Sequence, residues 1–495
     1  MLNLNENVRA SRTLLIGSQW LRGGGEPLSS IDPATGASNA TLTTASAADV
    51  DHAVQTARAA VTASGWADLL PHRRADHLHA ISRLLLDRVE ALAQLVMHEN
   101  GKTLTECRTQ IRGAAGIFRY YASLCETLGS DVTPSRGDYL SFTVYEPLGV
   151  AAAITPWNSP VNLAAEKLAP ALAAGNAVIL KPSELTSIVS LELGQLCLDA
   201  GLPAGLVNVL PGAVATSAAL IRHPGVDMIS FTGGTAAGRA IARVAADRLI
   251  PVVLELGGKS AHIVMDDADL MAAAAGVAAG IFGSMGQSCI AGSRLFVHEG
   301  IRDRLVAMVS DIARSLRLGP PAENDTQLGP LASFPHRDRV HAMVSGAREG
   351  GGRVIVGGVP PPGARFEKGA YYMPTVIDGL GNDSPTCQTE IFGPVLVVLP
   401  FANEEDLVRE ANGSPYGLAC GIWSRDFQRA WRIARRMQAG TVWVNTYRQN
   451  STSTPFGGYK QSGLGRERGV HGLRQYQQIK SVFMGATSTP LSVDR

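Results

Sequence analysis

The sequence predicts an α/β protein made of two doubly wound domains and a β-hairpin arm. Between residues 150 and 255, short apolar strands alternate with helical patterns, and a second set of strands follows between residues 261 and 445. This alternation is typical of parallel sheets covered by helices. Residues 131–145 alternate Tyr, Phe and Val between prolines and glycines, which predicts an extended hairpin.

The first elements are predicted to be helices, because apolar side chains recur at spacings of three and four over residues 47–121, most clearly over 78–97. Strands of the first sheet are predicted at 150–155, 177–181, 206–210, 228–232 and 252–255. Helices separate them near 160–173, 187–200, 213–222 and 236–246.

The second α/β set has strands predicted at 261–265, 295–298, 353–357, 395–400, 421–423 and 441–445. The uncharged residues 270–293 predict a buried helix that breaks at Gly283. Residues 319–369 are rich in Gly and Pro and predict loops around one helix. Residues 475–484 alternate again and predict a terminal strand, and disorder is expected at most in the last ten residues.

Length and charge exclude several functional classes. A chain of 495 residues can bury a large core and is expected to form at least two domains. A net charge of +1 with scattered Lys and Arg gives no basic surface for nucleic acid or an anionic membrane. Residues 1–12 contain no apolar segment of a signal peptide, and residues 270–293 are too weakly apolar to span a bilayer. None of the six cysteines has zinc-ligand or Cys-x-x-Cys spacing, so we expect a cytoplasmic protein without a metal site.

Two residues predict covalent catalysis. Cys289 lies among small residues in Gly286-Gln-Ser-Cys289-Ile-Ala-Gly, where a thiolate could attack a carbonyl carbon. Glu255 follows an apolar segment in Leu254-Glu-Leu-Gly-Gly-Lys, where burial would raise the pKa of a general base. A single cysteine is more often a buried apolar residue, and a single glutamate is more often solvated. The catalytic interpretation of Cys289 and Glu255 therefore depends on support from other motifs of the chain.

Further polar residues follow the ends of predicted strands, where ligands bind in parallel sheets. The Asn158 amide could donate to a developing oxyanion, although a turn asparagine between two prolines is the alternative. Lys181 and Glu184 could hold a ribose diol, and the carboxylate would disfavour a 2′-phosphate. The glycine turn in residues 231–238 opens a helix that could bind phosphate, although the G-x-G-x-x-G fingerprint is missing there. Gly463-Leu-Gly465 has no predicted strand before it and is interpreted as a decoy.

These motifs stand in one order along the chain, together with Glu146-Pro-Leu-Gly-Val, Glu390-Ile-Phe-Gly-Pro, Gly440-Thr-Val-Trp-Val-Asn and Pro455-Phe-Gly-Gly-Tyr-Lys-Gln-Ser-Gly. Over roughly residues 15–485 the chain resembles the NAD(P)-dependent aldehyde dehydrogenase superfamily. The resemblance implies a Rossmann-like NAD-binding domain over 1–126 and 147–257, a catalytic domain over 258–472, and an oligomerisation arm over 127–146 and 473–489. It also implies a homodimer or homotetramer.

The resemblance assigns the site residues. Cys289 would be the nucleophile, Glu255 the base, and Asn158 an oxyanion donor together with the Cys289 N–H. Lys167 and Glu467 would relay protons, although a structural role is the commoner reading of Glu467. The cofactor, NAD with NADP possible, would contact Thr155, Trp157, Lys181, Ser183, Glu184, Gly212, Thr232, Gly233, Gly234, Leu256, Glu390 and Phe392.

We therefore expect oxidation of an aldehyde to the acid through a thiohemiacetal and a thioester that water, not coenzyme A, resolves. The alternatives are a non-catalytic binding or structural relative and an NADP-preferring semialdehyde dehydrogenase. Ser159, Glu166 and Gly283 stand where members of the family that the chain resembles often have bulky residues. The resemblance therefore implies a wide, polar channel for an aromatic, hydroxylated or carboxylated aldehyde. Arg112 and Arg448 could pair with a substrate carboxylate, whereas Glu166 mildly favours a cationic aldehyde.

Overall fold

The computed structural model describes residues 13–486. Residues 1–12, in which no signal peptide is predicted, lie outside the described residues, as do residues 487–495 with the end of the predicted arm and most of the predicted disordered tail. Among the described residues, no helix is long and apolar enough to cross a membrane.

The strands are β1 (Leu14–Ile16), β2 (Gln19–Leu21), β3 (Pro27–Ile31), β4 (Ser38–Thr43), β5 (Val132–Thr133), β6 (Tyr139–Pro147), β7 (Val150–Ile154), β8 (Ala177–Lys181), β9 (Val207–Val209), β10 (Met228–Thr232), β11 (Val252–Glu255), β12 (Ala261–Val264), β13 (Arg294–His298), β14 (Arg353–Val356), β15 (Thr375–Asp378), β16 (Val395–Phe401), β17 (Tyr416–Gly417), β18 (Ala419–Trp423), β19 (Thr441–Val444), β20 (Tyr459–Lys460), β21 (Gly463–Leu464) and β22 (Gln477–Gly485). The helices span Ala47–Ala63, Pro71–Asp87, Val89–Asn100, Leu104–Thr127, Pro160–Ala173, Ser187–Asp199, Val214–Arg222, Thr235–Arg248, Leu270–Phe282, Arg302–Ser315, Phe334–Glu349, Pro385–Gln388, Glu404–Asn412, Phe427–Ala434 and Gly469–Arg474.

The first sheet has eight strands in the order β2-β1-β9-β8-β7-β10-β11-β21. The five strands from β9 to β11 are parallel, and their apolar side chains are buried on both faces, as helix-covered parallel strands require. The direction of winding reverses between β7 and β10. A crevice for a ligand is expected at that point, outside the carboxyl ends of the strands.

Residues 47–127 contain four helices, and the periodicity predicts helical structure over 47–121 without giving their number. Capping boxes at Ser46 and Thr103 start two of them, because each side chain and the acid three residues later bond each other's backbone N–H. The stretch 78–97 is not one helix, since Arg88 leaves helical geometry with φ −109° and ψ 18°. Neither Gly nor Pro marks this break, so the apolar pattern runs through it.

The second sheet has seven strands in the order β14-β15-β16-β13-β12-β18-β19, all parallel except β14. Helices 270–282 and 302–315 pack on one face, and residues of helices 334–349 and 404–412 belong to the core on the other. The helix over 270–282 ends at Gly283, as predicted. The fold class is therefore the predicted one, with two largely parallel helix-covered sheets.

The predicted arm is a separate three-stranded sheet, β22-β6-β5. All nine residues of β22 pair antiparallel with β6, from Gln477 opposite Pro147 to Gly485 opposite Tyr139. The apolar side chains of Ile479, Phe483 and Met484 are more than half exposed. Within residues 13–486, β22 therefore keeps one strand edge and an apolar strip open.

Several parts of the fold were not predicted, including the strands described next. The N-terminal strands β1 to β4 and strand β15 lie in segments without a clear alternating pattern. Strand β21 lies inside the supposed decoy Gly463-Leu-Gly465 and pairs antiparallel with β11, Leu254 opposite Leu464 and Glu255 opposite Gly463. That interpretation was right that no phosphate loop forms there, but it missed a strand beside the predicted base.

Candidate active site

The predicted cofactor residues follow neighbouring strands at one edge of the first sheet. Thr155 and Trp157 come after β7, and Thr232 ends β10, with Gly233 and Gly234 leading into helix 235–248. Lys181, Ser183 and Glu184 lie at the end of β8, Gly212 lies past β9, and Leu256 lies past β11. This edge includes the point where winding reverses, so the fold places all of these residues beside the expected crevice.

An inner cavity of about 380 Å³ brings several of the predicted residues together. Its wall includes Trp157, Asn158, Thr232, Gly233, Gly234, Leu256, Cys289, Glu390 and Phe392. Glu255, Lys167 and Glu467 lie outside this wall, buried with exposures of 3%, 0% and 4%. Thr155, Lys181, Ser183, Glu184 and Gly212 also lie outside the wall, on the sheet edge beyond the cavity.

Two glycines after Glu255 allow the close approach of the segments that form this cavity. A Cβ on Gly257 would lie 2.5 Å from Glu390 Oε2, and a Cβ on Gly258 would lie 2.1 Å from the Cys289 carbonyl oxygen. Both distances are shorter than real Cβ contacts, but the end of the Glu390 side chain could move aside, whereas the Cys289 carbonyl is backbone. Gly258 is therefore the residue that lets the strand bearing Glu255 meet the loop bearing Cys289.

The loop before Cys289 has a strained backbone. Ser284 and Met285 adopt φ of 55° and 56°, a left-handed conformation that non-glycine residues seldom take. Glu106 holds this turn, since its Oε1 accepts bonds from the Ser284 N–H at 2.9 Å and from the Ser284 hydroxyl at 3.0 Å. Strain of this kind is common where a loop must present a reactive group.

The Cys289 thiol is partly exposed in the inner cavity. Burial, together with the charges of Glu390 and Glu255, raises its pKa to about 12. The guanidinium of Arg468 opposes this shift, since a nearby cation favours the thiolate. In this state the sulfur is a thiol at neutral pH.

Donors for an oxyanion lie beside the sulfur. The Asn158 amide is 8% exposed, and its Nδ2 donates one bond, to the Gln287 carbonyl at 3.1 Å. Its second N–H has no partner among the described residues, and neither has the backbone N–H of Cys289. Both can therefore donate to an oxygen held in the inner cavity.

Glu255 is buried without a hydrogen bond to either carboxylate oxygen among the described residues. Burial, and then the charge of Glu467, raise its pKa well above the ordinary value. Lys167 offsets part of this effect and donates to Glu467 Oε1 at 2.5 Å and to the Ser230 hydroxyl at 3.0 Å. An unpaired carboxyl next to a buried ion pair can take and pass on a proton.

The far side of the inner cavity carries Glu390 and an aromatic cluster. Glu390 Oε1 accepts a bond from the Gly258 N–H at 2.9 Å, and burial raises its pKa to about 7. The Trp157 ring meets the rings of Phe392 and His336 edge-on, each at 5.3 Å between centroids. These groups form a partly apolar surface that suits a flat heteroaromatic ring.

Two buried hydroxyls near the strand ends, Thr155 Oγ1 and Thr232 Oγ1, have no partner among the described residues. Buried polar atoms in proteins are normally satisfied, so these point to a ligand with polar groups. Helix 235–248 begins here at Gly234 without a side-chain cap, which leaves its first N–H groups for an anion. Among residues 13–486, no cluster of three His, Cys, Asp or Glu side chains could hold a metal ion.

An outer cavity of about 600 Å³ shares part of its wall with the inner one, namely Ser159, Asn162, Arg448, Asn450 and Arg468. Other residues of its wall include Lys102, Glu106, Gln110, Glu166 and Ser284. The outer cavity therefore has mostly polar side chains in its wall and adjoins the inner cavity that holds Cys289. Arg112 is exposed and lies outside both walls, so it does not line the channel.

Arg468 was not predicted to be a site residue, and it pairs with Glu166. Arg468 donates to Glu166 Oε1 from Nη2 at 2.7 Å and from Nε at 3.0 Å, and it lies 4.7 Å from the centre of the Phe456 ring. The Glu166 charge is therefore paired inside the protein. The only hint in the sequence was a charged residue at each of two distant positions, and nothing indicated that they meet.

Comparisons with known proteins agree with this geometry. The aldehyde dehydrogenase family model matches residues 20–482. A Bacillus subtilis (strain 168) protein named "Putative aldehyde dehydrogenase DhaS" is 40% identical over 455 residues, which cover 92% of this chain and 91% of that protein.

Two solved structures superpose with a TM-score of 0.95 each. One is the NAD+ complex of a Bacillus cereus aldehyde dehydrogenase, 36% identical and covering 98% of this chain and 99% of that chain. The other is a Staphylococcus aureus betaine aldehyde dehydrogenase mutant in complex with NAD+, 34% identical and covering 98% of each chain. On sequence, fold and site, this chain belongs to the aldehyde dehydrogenase family.

Proposed function

We propose that this protein oxidises a polar aldehyde to its carboxylic acid with NAD, using Cys289 as nucleophile and Glu255 as base. One observation carries the proposal. Cys289 and Asn158, with its free N–H, line the inner cavity. Glu255, whose carboxylate has no hydrogen-bond partner among the described residues, ends a strand, and the Gly257-Gly258 turn that follows it packs against the Cys289 loop. Nucleophile, oxyanion donor and base are then the three groups that acyl chemistry at a thiol needs.

NAD fits the residues present. The unsatisfied Thr155 and Thr232 hydroxyls and the uncapped helix at Gly234 would face its phosphates and linking groups, and Glu390 with Phe392 would hold the nicotinamide end. Lys181 and the exposed carboxylate of Glu184 would hold the adenosine ribose. A carboxylate there disfavours NADP. When bound, NAD supplies the acceptor for hydride.

The chain's own residues perform the remaining steps. The Cys289 thiol, which is partly exposed in the inner cavity, releases its proton to solvent, and the thiolate adds to the aldehyde carbon. The resulting oxyanion accepts bonds from the Asn158 amide and the Cys289 N–H, and each such donor is typically worth about 3 kcal/mol in the transition state. After hydride leaves the carbon, the acyl group stays on sulfur as a thioester.

Hydrolysis of the thioester needs an activated water. Glu255, whose raised pKa suits a base near neutral pH, removes a proton from water, and the hydroxide displaces the Cys289 thiolate to release the acid. The Lys167–Glu467 pair beside it provides a route for that proton to leave. The buried carboxyl at this position favours water over coenzyme A as the acyl acceptor.

The substrate side favours a bulky or oxygen-rich aldehyde, because the outer cavity is wide and lined by polar side chains. One relative of known structure is named for betaine aldehyde, a cationic substrate. The pairing of Glu166 with Arg468 argues against a cation here, since no unpaired acid of that pair is left for it.

We also propose that residues 13–126 and 147–257 form the cofactor domain and 258–472 the catalytic domain. The open edge and apolar strip of β22 support a homo-oligomer in which the arm pairs with a second copy, since open edges otherwise aggregate. A cytoplasmic location fits the six free cysteines.

The test is pre-steady-state kinetics of Glu255→Gln with Cys289→Ser as control. We expect Glu255→Gln to release about one equivalent of NADH per site in a burst and then turn over at least 100-fold more slowly, because the thioester accumulates. Cys289→Ser should give no burst. An unchanged steady rate in Glu255→Gln would remove its role, and absence of any NAD-dependent aldehyde oxidation in the parent protein would favour a non-catalytic binding relative.

A further inference from the structure

The outer cavity holds five charged side chains: Lys102, Glu106, Glu166, Arg448 and Arg468. Three are cations and two are anions, so the wall carries one formal positive charge more than it can pair. The side chains differ in how far the protein itself satisfies them. This difference indicates what kind of group the cavity receives.

Both acids are already occupied. Glu106 accepts from the Ser284 N–H and hydroxyl with Oε1 and from the Thr103 N–H and hydroxyl with Oε2, all between 2.9 and 3.2 Å. Glu166 Oε1 accepts from Arg468 and from Asn162, and its Oε2 is buried without a partner. Donors of the protein occupy both oxygens of Glu106, and the charge of Glu166 is already paired with Arg468.

Lys102 and Arg448 are much less occupied. Lys102 Nζ has one partner, the Ser159 hydroxyl at a long 3.5 Å, although the residue is only 7% exposed. Arg448 donates from Nη1 to the carbonyls of Gly283 and Ala279 at 3.0 and 3.3 Å. Its Nε and Nη2 have no partner, and neither cation forms an ion pair within residues 13–486.

The two cations also act on each other. Burial lowers the pKa of the Lys102 ammonium most, the nearby charge of Glu106 raises it, and the positive charge of Arg448 lowers it again. Two partly buried like charges with spare donors are costly unless an anion joins them. Glu106 acts on Lys102 without contact, because none of the ion pairs among the described residues includes Lys102 or Arg448.

Arg448 is held in place by the backbone around it. Its own φ is 60°, and its Nη1 occupies the space in which a side chain at Gly283 would lie, 2.5 Å from where a Cβ would be. The absence of a side chain at Gly283 thus makes room for the guanidinium. Arg448 lines both cavities, and so does Ser159, whose hydroxyl accepts from Lys102. Lys102 and Arg448 therefore stand where the outer cavity meets the inner cavity that holds Cys289.

We propose that Lys102 and Arg448 form an anion subsite that binds a carboxylate at the far end of the substrate. The preferred substrate is then an aldehyde that carries a carboxylate, a semialdehyde or a carboxylated aromatic aldehyde. This inference rests on the proposed function and deepens it. A carboxylate has four acceptor positions, which match the spare N–H groups of an ammonium and a guanidinium.

The test compares aldehydes that carry a carboxylate with neutral aldehydes of the same parent chain or ring. The kcat/KM with NAD is measured for succinate semialdehyde against butanal and for 4-carboxybenzaldehyde against benzaldehyde. We expect the parent protein to favour at least one carboxylated member about tenfold or more, as charge-assisted hydrogen bonds allow. Arg448→Gln should lower that ratio about tenfold, and Lys102→Met should lower it as well.

Arg112→Gln is the matched control, because Arg112 is exposed and lies outside both cavities. It should leave the ratio unchanged. A ratio near one for both pairs in the parent protein overturns the subsite even if Lys102→Met or Arg448→Gln fails to fold. So does an unchanged ratio in folded Arg448→Gln. Failure of the parent to oxidise any of the four aldehydes overturns the proposed function instead, which separates the two results.

Discussion

Replacing Arg468 by Leu removes the partner of a buried acid. The Glu166 side chain is 2% exposed and that of Arg468 14%, and two charge-assisted bonds of 2.7 and 3.0 Å join them. In Arg468→Leu, Glu166 keeps only the bond from Asn162 at 3.0 Å. The variant therefore contains a buried charge without a counter-ion.

The size of the effect follows from this burial. Breaking a buried ion pair by removing one partner typically costs about 3–5 kcal/mol, much more than the net stabilisation by the intact pair. At roughly 2–4 °C per kcal/mol for a domain of about 200 residues, the apparent Tm should fall by about 6 °C or more. The loss of Phe456 stacking is a smaller term, because a cation–π contact is worth about 0.5–2 kcal/mol.

Replacing both Glu166 and Arg468 distinguishes the effect of the ion pair on stability from the effect of side-chain packing. Glu166→Leu with Arg468→Leu leaves no buried charge, so it should recover most of the lost stability, since apolar replacement of a buried pair is often neutral. Calorimetry of the parent, both single variants and the double variant gives the cycle. If Arg468→Leu and the double variant lose the same Tm, or neither loses any, the buried charge is not the cause and the reasoning is wrong.

Two further predictions concern the Cys289 loop. Gly258→Ala places a Cβ 2.1 Å from the Cys289 carbonyl oxygen and should lower kcat/KM at least 100-fold, whereas Gly346→Ala, with nothing within 4 Å of its Cβ, should leave activity unchanged and gain up to about 1 kcal/mol in helix stability. Equal activities would show that the loop can move away. In the protein without cofactor, alkylation of Cys289 by iodoacetamide should rise about tenfold per pH unit from pH 7 to 10, because its pKa is raised to about 12 and the thiolate is the reactive form. A plateau at or below pH 9, absent in Cys289→Ser, would contradict that environment.

Much of the fold was predictable because local patterns of apolar, glycine and proline residues mark its strands and helices. Strands β8, β10 and β11 and helix 160–173 have the predicted ends, since short apolar runs between glycines and prolines mark them. Strand β1 is held in part by β9, with Leu15 opposite Val209, whereas β4 pairs with its neighbour β3 and β15 pairs with β16. The residues of these short strands carry little periodic signal of their own. The break at Arg88 leaves no trace in composition.

The candidate site divides in the same way. Cys289, Glu255 and Asn158 could be predicted because each lies in a motif that marks a strand end or a glycine turn. The Glu166–Arg468 pair joins residues 302 positions apart, and the donors left free on Lys102 and Arg448 exist only once neighbours are counted in space. The wide, polar channel stays a prediction, and the balance of charge in the outer cavity could not be known from the sequence.

Strand β21 gives the two sheets a mechanical connection. It comes from the chain after β19 of the second sheet, yet it extends the first sheet beside Glu255. The Ser462 hydroxyl just before it donates to the Gly257 carbonyl at 2.7 Å and accepts from the Gly417 N–H at 2.9 Å, next to strand β18. A large hinge motion between the sheets would break the backbone hydrogen bonds between β21 and β11, the strand that ends in Glu255. Entry and exit of reactants should therefore depend on side-chain and loop movements around a rigid centre, in which strand register holds Glu255 opposite Gly463.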